Sequence, residues 1–537
     1  MSQHGRLESE PRLSRIRSGR AAALAICQAA LERRTASDVA VLALTVVVCL
    51  GAGSTLVGGA IAFLAIVAGV TAAGATVLLA SERPLVRVGG GLIAGPVGLL
   101  VLSPTALAVD LVGGSGVSRT AGIAVWAMVL AAFAAGLLGW HRLGEGGVRR
   151  GATGAILAAV GVVGVAIVRI VPESTARDRL GVAVADTGAW LWNGAIIAEG
   201  SLAMLTFAGM GFLSTALLGY ALNYVALERF VPPDRRVELS AVVSRLERGC
   251  RIGRRVAILT AVVAVVLPGV LDTDGLILTP AATREILPPI GAVLAAIVTA
   301  SSLRVLFVAL LIVAVGSILL EWLRRAIGRE VARTLVAIVA PAVGGGAVAL
   351  VLGWLLSGTV AAVDPAAGLE GRVPVSVVEL VASVPSFALA TGVLAVGLSS
   401  LASVSITVAT LRGLRILPAR AIGAALAAGA VFVLAFGLAV VGQVELSILT
   451  GAAGFVIWDV GEYGDSVRRE LGPNTDTFRA ELVHLGGSLL SGIVVAIGTI
   501  ALWWLVADVA VTDSTTAAVA LASGVLAVSL VAWVLRG

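Results

Sequence analysis

The sequence contains no lysine, because all 38 of its basic residues are arginine. Without lysine the chain cannot form a P-loop nucleotide site, a retinal or pyridoxal Schiff base, or a site with a lysine general base. Charge is also scarce, since 13% of the residues are charged while 58% are hydrophobic. A soluble protein of 537 residues needs more polar surface than this, so the composition excludes a soluble globular protein.

Cysteine is equally scarce. The three cysteines, Cys27, Cys49 and Cys250, lack the spacing of a metal or redox site, so we expect neither a disulfide framework nor a cofactor. The first 38 residues are polar and rich in arginine, and the apolar run after them is longer than the core of a signal peptide. We therefore expect no cleaved signal peptide.

Long apolar runs dominate what is present, and the mean hydropathy is +1.04. Runs of about 18 or more apolar residues indicate transmembrane helices, because the bilayer core is roughly 30 Å thick. The sequence therefore predicts an all-α, polytopic transmembrane helix bundle, and we expect 14 spans within a range of 12 to 14. Small residues four apart, as at Gly344/Val348 and Gly345/Ala349, predict close packing between these helices.

The arginines predict the orientation in the membrane. Thirty-one of the 38 fall in loops on one side, seven of them in residues 1–38. Positively charged loops stay in the cytoplasm, so this pattern predicts a multi-pass cell membrane protein with a cytoplasmic N-terminus. We expect the arginines to contact anionic lipid headgroups rather than nucleic acid.

We divide the chain into a cytoplasmic, arginine-rich segment at 1–38 and a single integral membrane domain at 39–537. The domain begins with four spans at 39–150, of which residues 39–80 form a helical hairpin with a turn starting near residues 51–55. It ends with the spans of 412–537, where the apolar stretch 444–458 is short for a full crossing.

Residues 151–411 suggest an internal repeat of three similar units. In each unit a simple span and an external loop precede a long apolar run that ends at arginines, and these runs are 188–227, 286–323 and 373–411. Each run follows an external loop and ends at cytoplasmic arginines, so it must cross the membrane an odd number of times. Because each run is too long for one crossing, part of it should lie flat on the membrane surface or re-enter the membrane. Breakers that could produce this are Pro288, Pro289, Pro374 and Pro385. The alternative is that the three units are similar by coincidence, because loops alternate between the two sides in any helical membrane protein.

Ionisable side chains inside apolar runs are candidates for function. Glu199, Arg304 and Glu379 predict a substrate or proton path, because such groups normally face a partner or a wet cavity. The alternative is that they mark helix ends or kinks and extend towards water.

Two sets of residues are candidates for a metal site. Asp272 and Asp274 resemble the Asp-x-Asp pair of some membrane glycosyltransferases, and Asp459, Glu462 and His484 lie in the densest polar segment of the chain. Glu481 and His484 should share a helix face, as should Asp459 and Glu462. The alternative for the second set is a solvated segment whose acids offset nearby arginines.

The segment Glu481-Leu-Val-His484-Leu-Gly-Gly, with the polar segment before it, resembles an uncharacterised family of haloarchaeal multi-pass membrane proteins. The replacement of lysine by arginine, with abundant alanine, glycine and valine, also indicates a GC-rich, archaeal genome. The resemblance implies no activity.

We therefore interpret the chain as a non-enzymatic integral membrane protein and as a subunit of a membrane assembly, since no catalytic constellation is visible in the sequence. The alternatives are a secondary transporter of a small solute, which would use the path above, and a membrane enzyme acting on a lipid-linked substrate through Asp272 and Asp274.

The arginine pattern gives a testable prediction about residues 228–255, which contain eight arginines. This segment should be cytoplasmic, and Val237–Leu246 should form a short amphipathic helix on the inner leaflet. A cysteine placed at Ser244 should be protected from impermeant thiol reagents added outside intact cells. Ready labelling from outside would invert the predicted topology.

Overall fold

The computed structural model describes residues 35–113, 116–137, 147–170, 174–196, 203–225, 236–270, 278–286, 289–327, 331–362, 374–413, 421–471 and 477–506, together with a few single positions. The regular structure within these ranges is helical, which confirms the all-α prediction. Twelve helices in these ranges are long and apolar enough to cross a bilayer.

Seventeen helices are found in the described ranges. The first five are α1 (Ala36–Val57), α2 (Gly59–Ala80), α3 (Pro84–Gly113), α4 (Gly116–Leu137) and α5 (Gly147–Ile170). The next six are α6 (Ser174–Ile196), α7 (Ala203–Tyr224), α8 (Arg236–Val270), α9 (Pro280–Ile286), α10 (Ile290–Thr299) and α11 (Ser301–Ile327). The last six are α12 (Val331–Ala362), α13 (Val375–Ser383), α14 (Ser386–Gly413), α15 (Ile422–Val440), α16 (Val444–Leu471) and α17 (Phe478–Val506).

The helices pack around two apolar clusters. The larger core is formed by α1 to α5 together with α12 and α14 to α17, and many of its buried residues are alanine. A smaller cluster of Met204, Ala264, Leu278 and Val298 joins α7, α8 and α10, and α11 also packs on α7. The membrane domain therefore has one main bundle and a smaller group of helices formed by the middle of the chain.

Glycines bring the helix backbones into direct contact. Gly344 lies against Val88 and Gly91 of α3, and Gly345 lies against Ala158 of α5. Because lipid tails are as apolar as the side chains, such close contacts replace the hydrophobic effect as the force between helices. The predicted small-residue packing at residues 344–349 is thus confirmed.

The hairpin at residues 39–80 is present, but its turn lies further along the chain than we predicted. Residues 51–55 are helical, and the chain reverses at Gly58, whose φ of 88° is open to glycine. Ser54 and Thr55 do not break the helix, because both hydroxyls donate to the carbonyl of Gly51 within the same helix.

Two of the three long apolar runs contain a helix break within the described residues. The second run is interrupted at Ala300 between α10 and α11, and the third at Val384 and Pro385 between α13 and α14. The first run includes parts of α6 and α7, and residues 197–202 between them lie outside the described residues. One helix per run, namely α7, α11 or α14, is then long enough to cross a bilayer. The division of the domain into three similar units remains a prediction.

One other predicted boundary was wrong, and one apolar stretch whose crossing we left open is part of a longer helix that is a candidate span. The segment Val237–Leu246 is not a separate short helix, because α8 continues without a break from Arg236 to Val270. The apolar stretch 444–458 is the first half of α16, which has 28 residues. In both cases the helix continues through charged residues because the sequence contains no proline at the predicted boundary.

Cys250 of α8 supports the labelling experiment at Ser244. Its thiol is buried, and this burial raises the pKa of the thiol. The positive charge of Arg254 lowers this pKa, and the negative charge of Glu247 raises it. Since the thiolate is the reactive form, Cys250 should react slowly and leave the exposed position 244 as the labelled site once Cys27 is replaced by serine.

Two glycines of α5, three residues apart, test the backbone packing. A methyl group on Gly161 would overlap the carbonyl oxygen of Ala342 in α12, whereas a methyl group on Gly164 would meet open space. We expect Gly161→Ala to lower the free energy of unfolding by about 1–3 kcal/mol. Gly164→Ala should leave it unchanged or slightly higher.

Thermal unfolding of the two purified variants in the same detergent measures the difference. Equal midpoints for both variants would contradict the close approach of α5 and α12.

Candidate functional site

Polar and charged side chains concentrate where four helix ends meet. We call this region the junction; it consists of the first turn of α1, the start of α15, the second half of α16 and the first three turns of α17. Gly464 of α16 allows the approach of α1, because a methyl group there would lie 2.6 Å from the Cβ of Ser37. The small residue therefore brings the polar start of α1 against α16.

A buried ion pair joins α1 to α16. The Nη2 atom of Arg468 lies 2.9 Å from Oδ1 of Asp38, and the two side chains are only 13% and 5% exposed. The same nitrogen is 3.5 Å from the hydroxyl of Thr35, which caps α1 by accepting from the amide of Asp38. Arg468 thus contacts both the cap and the first turn of α1.

Glu481 joins α17 to α1 through neutral donors. Its Oε2 accepts from the amide of Ser37 at 2.8 Å and from the Ser37 hydroxyl at 2.9 Å, while Thr477 donates to Oε1 at 2.6 Å. Glu481 is 2% exposed, so its removal would leave a buried backbone amide without an acceptor. This carboxylate therefore holds the first and last described helices together.

Asp465 fixes the start of α15. Its Oδ2 accepts from the amide of Ala421 at 3.1 Å and lies 2.8 Å from Nη2 of Arg469. Ala421 is the residue before α15 and has a φ of 47°, which is unusual for a residue with a side chain. The hydrogen bond to Asp465 stabilises this left-handed conformation and positions α15 on α16.

A histidine and an aspartate meet deeper in the junction. His484 of α17 stacks on Tyr463 of α16 with ring centroids 3.9 Å apart, and its Nε2 lies 3.0 Å from Oδ2 of Asp459, off the ideal hydrogen-bond direction. The hydroxyl of Ser488 donates to the same carboxylate oxygen. Asp459 remains 58% exposed at its side chain, so the contact covers only part of it.

The proposed metal ligands are only partly brought together. Glu462 accepts from the indole of Trp458 at 2.7 Å on its own helix, whereas Asp459 contacts His484 on α17. Within the part of the chain that the structure describes, no three His, Cys, Asp or Glu side chains are grouped as a metal site would need. Asp272 and Asp274 lie outside the described residues.

Arg304 has a structural environment in the smaller group of helices. It is fully buried, its Nε donates to the carbonyl of Val298 at 3.0 Å, and its Nη2 donates to the carbonyl of Ala203 at 2.7 Å. Its Nη1 donates to the hydroxyl of Thr206, and its guanidinium lies over the ring of Phe207. Because Val298 is in the last turn of α10, Arg304 supplies a donor where the helix break leaves carbonyls unpaired.

Of the other two predicted path residues, only Glu379 lies within the described residues. Glu379 lies exposed on α13, which packs against α6, and Glu199 is outside the described residues. The substrate or proton path, and with it the transporter alternative, therefore remains a prediction. The same holds for the enzyme alternative, which depends on Asp272 and Asp274.

Ser37 and Asp38 were missing from our sequence prediction, which named Asp465 and Arg468 only as members of the polar segment whose acids offset nearby arginines. The partners of Ser37 and Asp38 lie hundreds of positions away, so no local pattern links them. Asp465, in contrast, pairs with Arg469 four residues further along the same helix. One signal was present, because Thr35 followed by an acid three residues later, just before an apolar run, is typical of a helix start.

Neighbouring arginines of α16 provide a matched test of the junction. Arg468→Gln leaves Asp38 buried without its ion pair and should lower the free energy of unfolding by about 3–5 kcal/mol. Arg469→Gln removes a pair whose arginine is 53% exposed and should cost less than about 1 kcal/mol. Denaturation of both variants in detergent checks this, and an equal loss of stability would contradict the burial of the Asp38 pair.

Comparisons with known proteins point to the same end of the chain. A model described as "Family of unknown function (DUF7519)" matches residues 372–532, which is less than a third of the sequence and includes α13 to α17. No curated protein and no solved structure matches the chain. The similarity thus supports a relationship to an uncharacterised family over the segment that supplies most of the junction.

Proposed function

We propose that the chain is a non-enzymatic subunit of an assembly in the cell membrane, and that it binds a basic transmembrane helix of a partner subunit. The docking surface is the outward face of α16, which we define by Phe455, Trp458, Asp459 and Glu462. All four residues are exposed, although Phe455 contacts Phe432 of α15 and Asp459 contacts His484 of α17. The observation that carries the proposal is the exposure of two carboxylates in the interior of α16, between Glu445 and Arg468.

The length of α16 sets the depth of these two carboxylates. Glu445 and Arg468 lie 23 residues apart, or about 35 Å along the helix, which slightly exceeds the bilayer core of roughly 30 Å. If these charges mark the two boundaries, Asp459 lies about 13 Å deeper than Arg468, and Glu462 about 9 Å deeper. An aspartate side chain is too short to reach water across that distance.

A carboxylate facing lipid at this depth is unfavourable. Insertion of a charged residue near the bilayer centre costs at least roughly 2.5–3.5 kcal/mol, and such residues almost always face protein or water. Asp459 is partly relieved by Ser488 and His484, and Glu462 by Trp458. Both acids keep an exposed side, so a covering partner would remove the remaining cost.

Charge complementarity indicates the chemistry of the partner. The arginines of α16 lie nearer the helix end, where Arg468 pairs with Asp38 and Arg469 with Asp465. A symmetric dimer through this face would place Asp459 and Glu462 against their own copies, which like charges disfavour. A helix from a different protein with an arginine or lysine at this depth would pair with both carboxylates.

The contacts between helix ends support the proposed orientation. Asp38 near the start of α1, Arg468 near the end of α16 and Glu481 near the start of α17 are joined in the junction. These are the ends that the arginine pattern assigns to the cytoplasm. The N-terminus and the junction are therefore cytoplasmic in this proposal.

The experiment uses the tagged full-length chain in its native membranes. Solubilisation in a mild detergent and size-exclusion chromatography should give wild-type protein in a complex with a defined second protein. The double variant Asp459→Asn with Glu462→Gln should elute as the free chain. Glu470→Gln, an exposed acid beyond the same arginines, is the control and should retain the complex.

A wild-type chain that elutes alone would refute the subunit role. If the double variant retains the complex, the subunit role stands but the docking face on α16 is wrong. A partner without a basic residue in its transmembrane segment would overturn the proposed charge complementarity.

A further inference from the structure

We propose that the protein binds an anionic phospholipid between α5 and α7, with the lipid phosphate held by Arg149 of α5 and Tyr220 of α7. The site lies in a different part of the chain from the docking surface on α16 and does not depend on it. α5 belongs to the main bundle, whereas α7 belongs to the smaller group of helices. The lipid would therefore bind where these two groups meet.

Arg149 and Tyr220 are in direct contact. The Nη1 atom of Arg149 donates to the hydroxyl oxygen of Tyr220 at 2.6 Å, and the guanidinium lies 5.6 and 5.7 Å from the ring centroids of Tyr220 and Tyr224. The two rings stack on each other with their centroids 5.4 Å apart. The stacked tyrosines thus hold the guanidinium in a defined position by a hydrogen bond and by cation–π attraction.

This contact leaves donors available to an anion. Arg149 is exposed and forms no ion pair with a residue that the structure describes, so its positive charge is not compensated there. Tyr220 accepts the bond from Arg149, and among the described residues its own O–H has no acceptor. A guanidinium and a phenolic O–H therefore lie side by side, and both can donate to the oxygens of one phosphate.

The positions of these residues along their helices indicate the level of the lipid headgroups. Arg149 is the third residue of α5, and Tyr220 and Tyr224 lie within the last five residues of α7. Both helices are long and apolar enough to cross a bilayer, so the contact is at their ends. Tyrosine is enriched at this level of the membrane, and arginines there attract anionic headgroups.

An exposed apolar stripe continues from Arg149 into the membrane. Four residues share the helix face of Arg149 and are each 41–58% exposed, namely Ile156, Val160, Val163 and Ile167. On α7, Leu213 lies two turns before Tyr220 on the same face and is 44% exposed. The face of α5 that reaches α7 at Arg149 is thus uncovered further along the helix, where the acyl chains of a bound lipid would lie.

The two helices have separate partners, which gives the lipid a structural effect. In the described residues α5 packs on α2, α3, α12 and α14, whereas α7 packs on α8, α10 and α11. A phosphate bound by Arg149 and Tyr220 would bridge one residue from each group. Because only the folded protein brings these two residues together, binding should stabilise the folded state.

The test measures lipid-induced stabilisation of the purified full chain in a neutral detergent. Phosphatidylglycerol should raise the thermal unfolding midpoint of wild-type protein more than phosphatidylcholine does, because only the first has a net negative headgroup. Arg149→Gln should weaken the apparent affinity for phosphatidylglycerol at least about tenfold, because a charge-assisted bond is lost. Tyr220→Phe keeps the ring but removes the hydroxyl, and should weaken the affinity about threefold or more.

Arg245→Gln is the matched control, because it removes an exposed arginine of α8 that likewise has no ion pair in the described residues. It should leave the affinity for phosphatidylglycerol unchanged. Equal affinities of the Arg149 and Arg245 variants would refute the site, and an unchanged affinity of Tyr220→Phe would overturn the role of the hydroxyl.

Inorganic phosphate without lipid is the second arm, and it should not reproduce the shift because it has no acyl chains to cover the stripe on α5. An equal shift with phosphate alone would mean a free-phosphate site and overturn the lipid assignment. Equal shifts with the two lipids on wild-type protein would refute the site even if a variant fails to fold.

Discussion

The absence of a hydrophobic force between helices in lipid determines how this bundle is held together. Every backbone group must be paired within a helix, and neighbouring helices then gain stability only from close contact and a few polar bonds. The main bundle meets this constraint with glycine and alanine at its crossings, as where Gly98 of α3 lies against Gly397 of α14. The high content of small residues is therefore a structural requirement of the fold.

The charged residues of the described structure fall into two physical classes. Asp38, Glu481 and Arg304 are buried and Arg468 is largely covered, and each has a hydrogen-bond or ion-pair partner on another helix, so their effect is to fix how helices meet. Asp459 and Glu462 are polar groups whose outer side is not covered by the described residues. The sequence did not separate these two classes, because residues of both classes occur in or beside apolar runs.

Local sequence was sufficient for the class of fold and for most helices, since helix length and apolar character are properties of continuous segments. It was insufficient wherever the outcome depends on what a helix packs against. The turn at Gly58 was misplaced because Gly51 and Gly53 resemble a breaker, although Gly53 faces Met128 and is needed for packing. The junction was only partly predicted: Glu481 and His484 were selected by spacing on one helix, while their partners Ser37 and Asp459 come from other helices.

The contacts of the first helix also have a consequence for how the chain is made. Ser37 and Glu481 are separated by 444 positions, so the partners of α1 are synthesised long after α1 itself. At about 5–20 residues per second, the ribosome needs roughly 20–90 seconds to complete the intervening chain. Until α15 is synthesised, α1 can contact only α2 and α4 of the five helices that it packs against in the described residues. The carboxylate of Asp38 depends on water at the membrane surface until Arg468 of α16 follows. Closure of the bundle is therefore a late event, and a ribosome that stalls before α15 leaves α1 incompletely paired for membrane proteases to recognise.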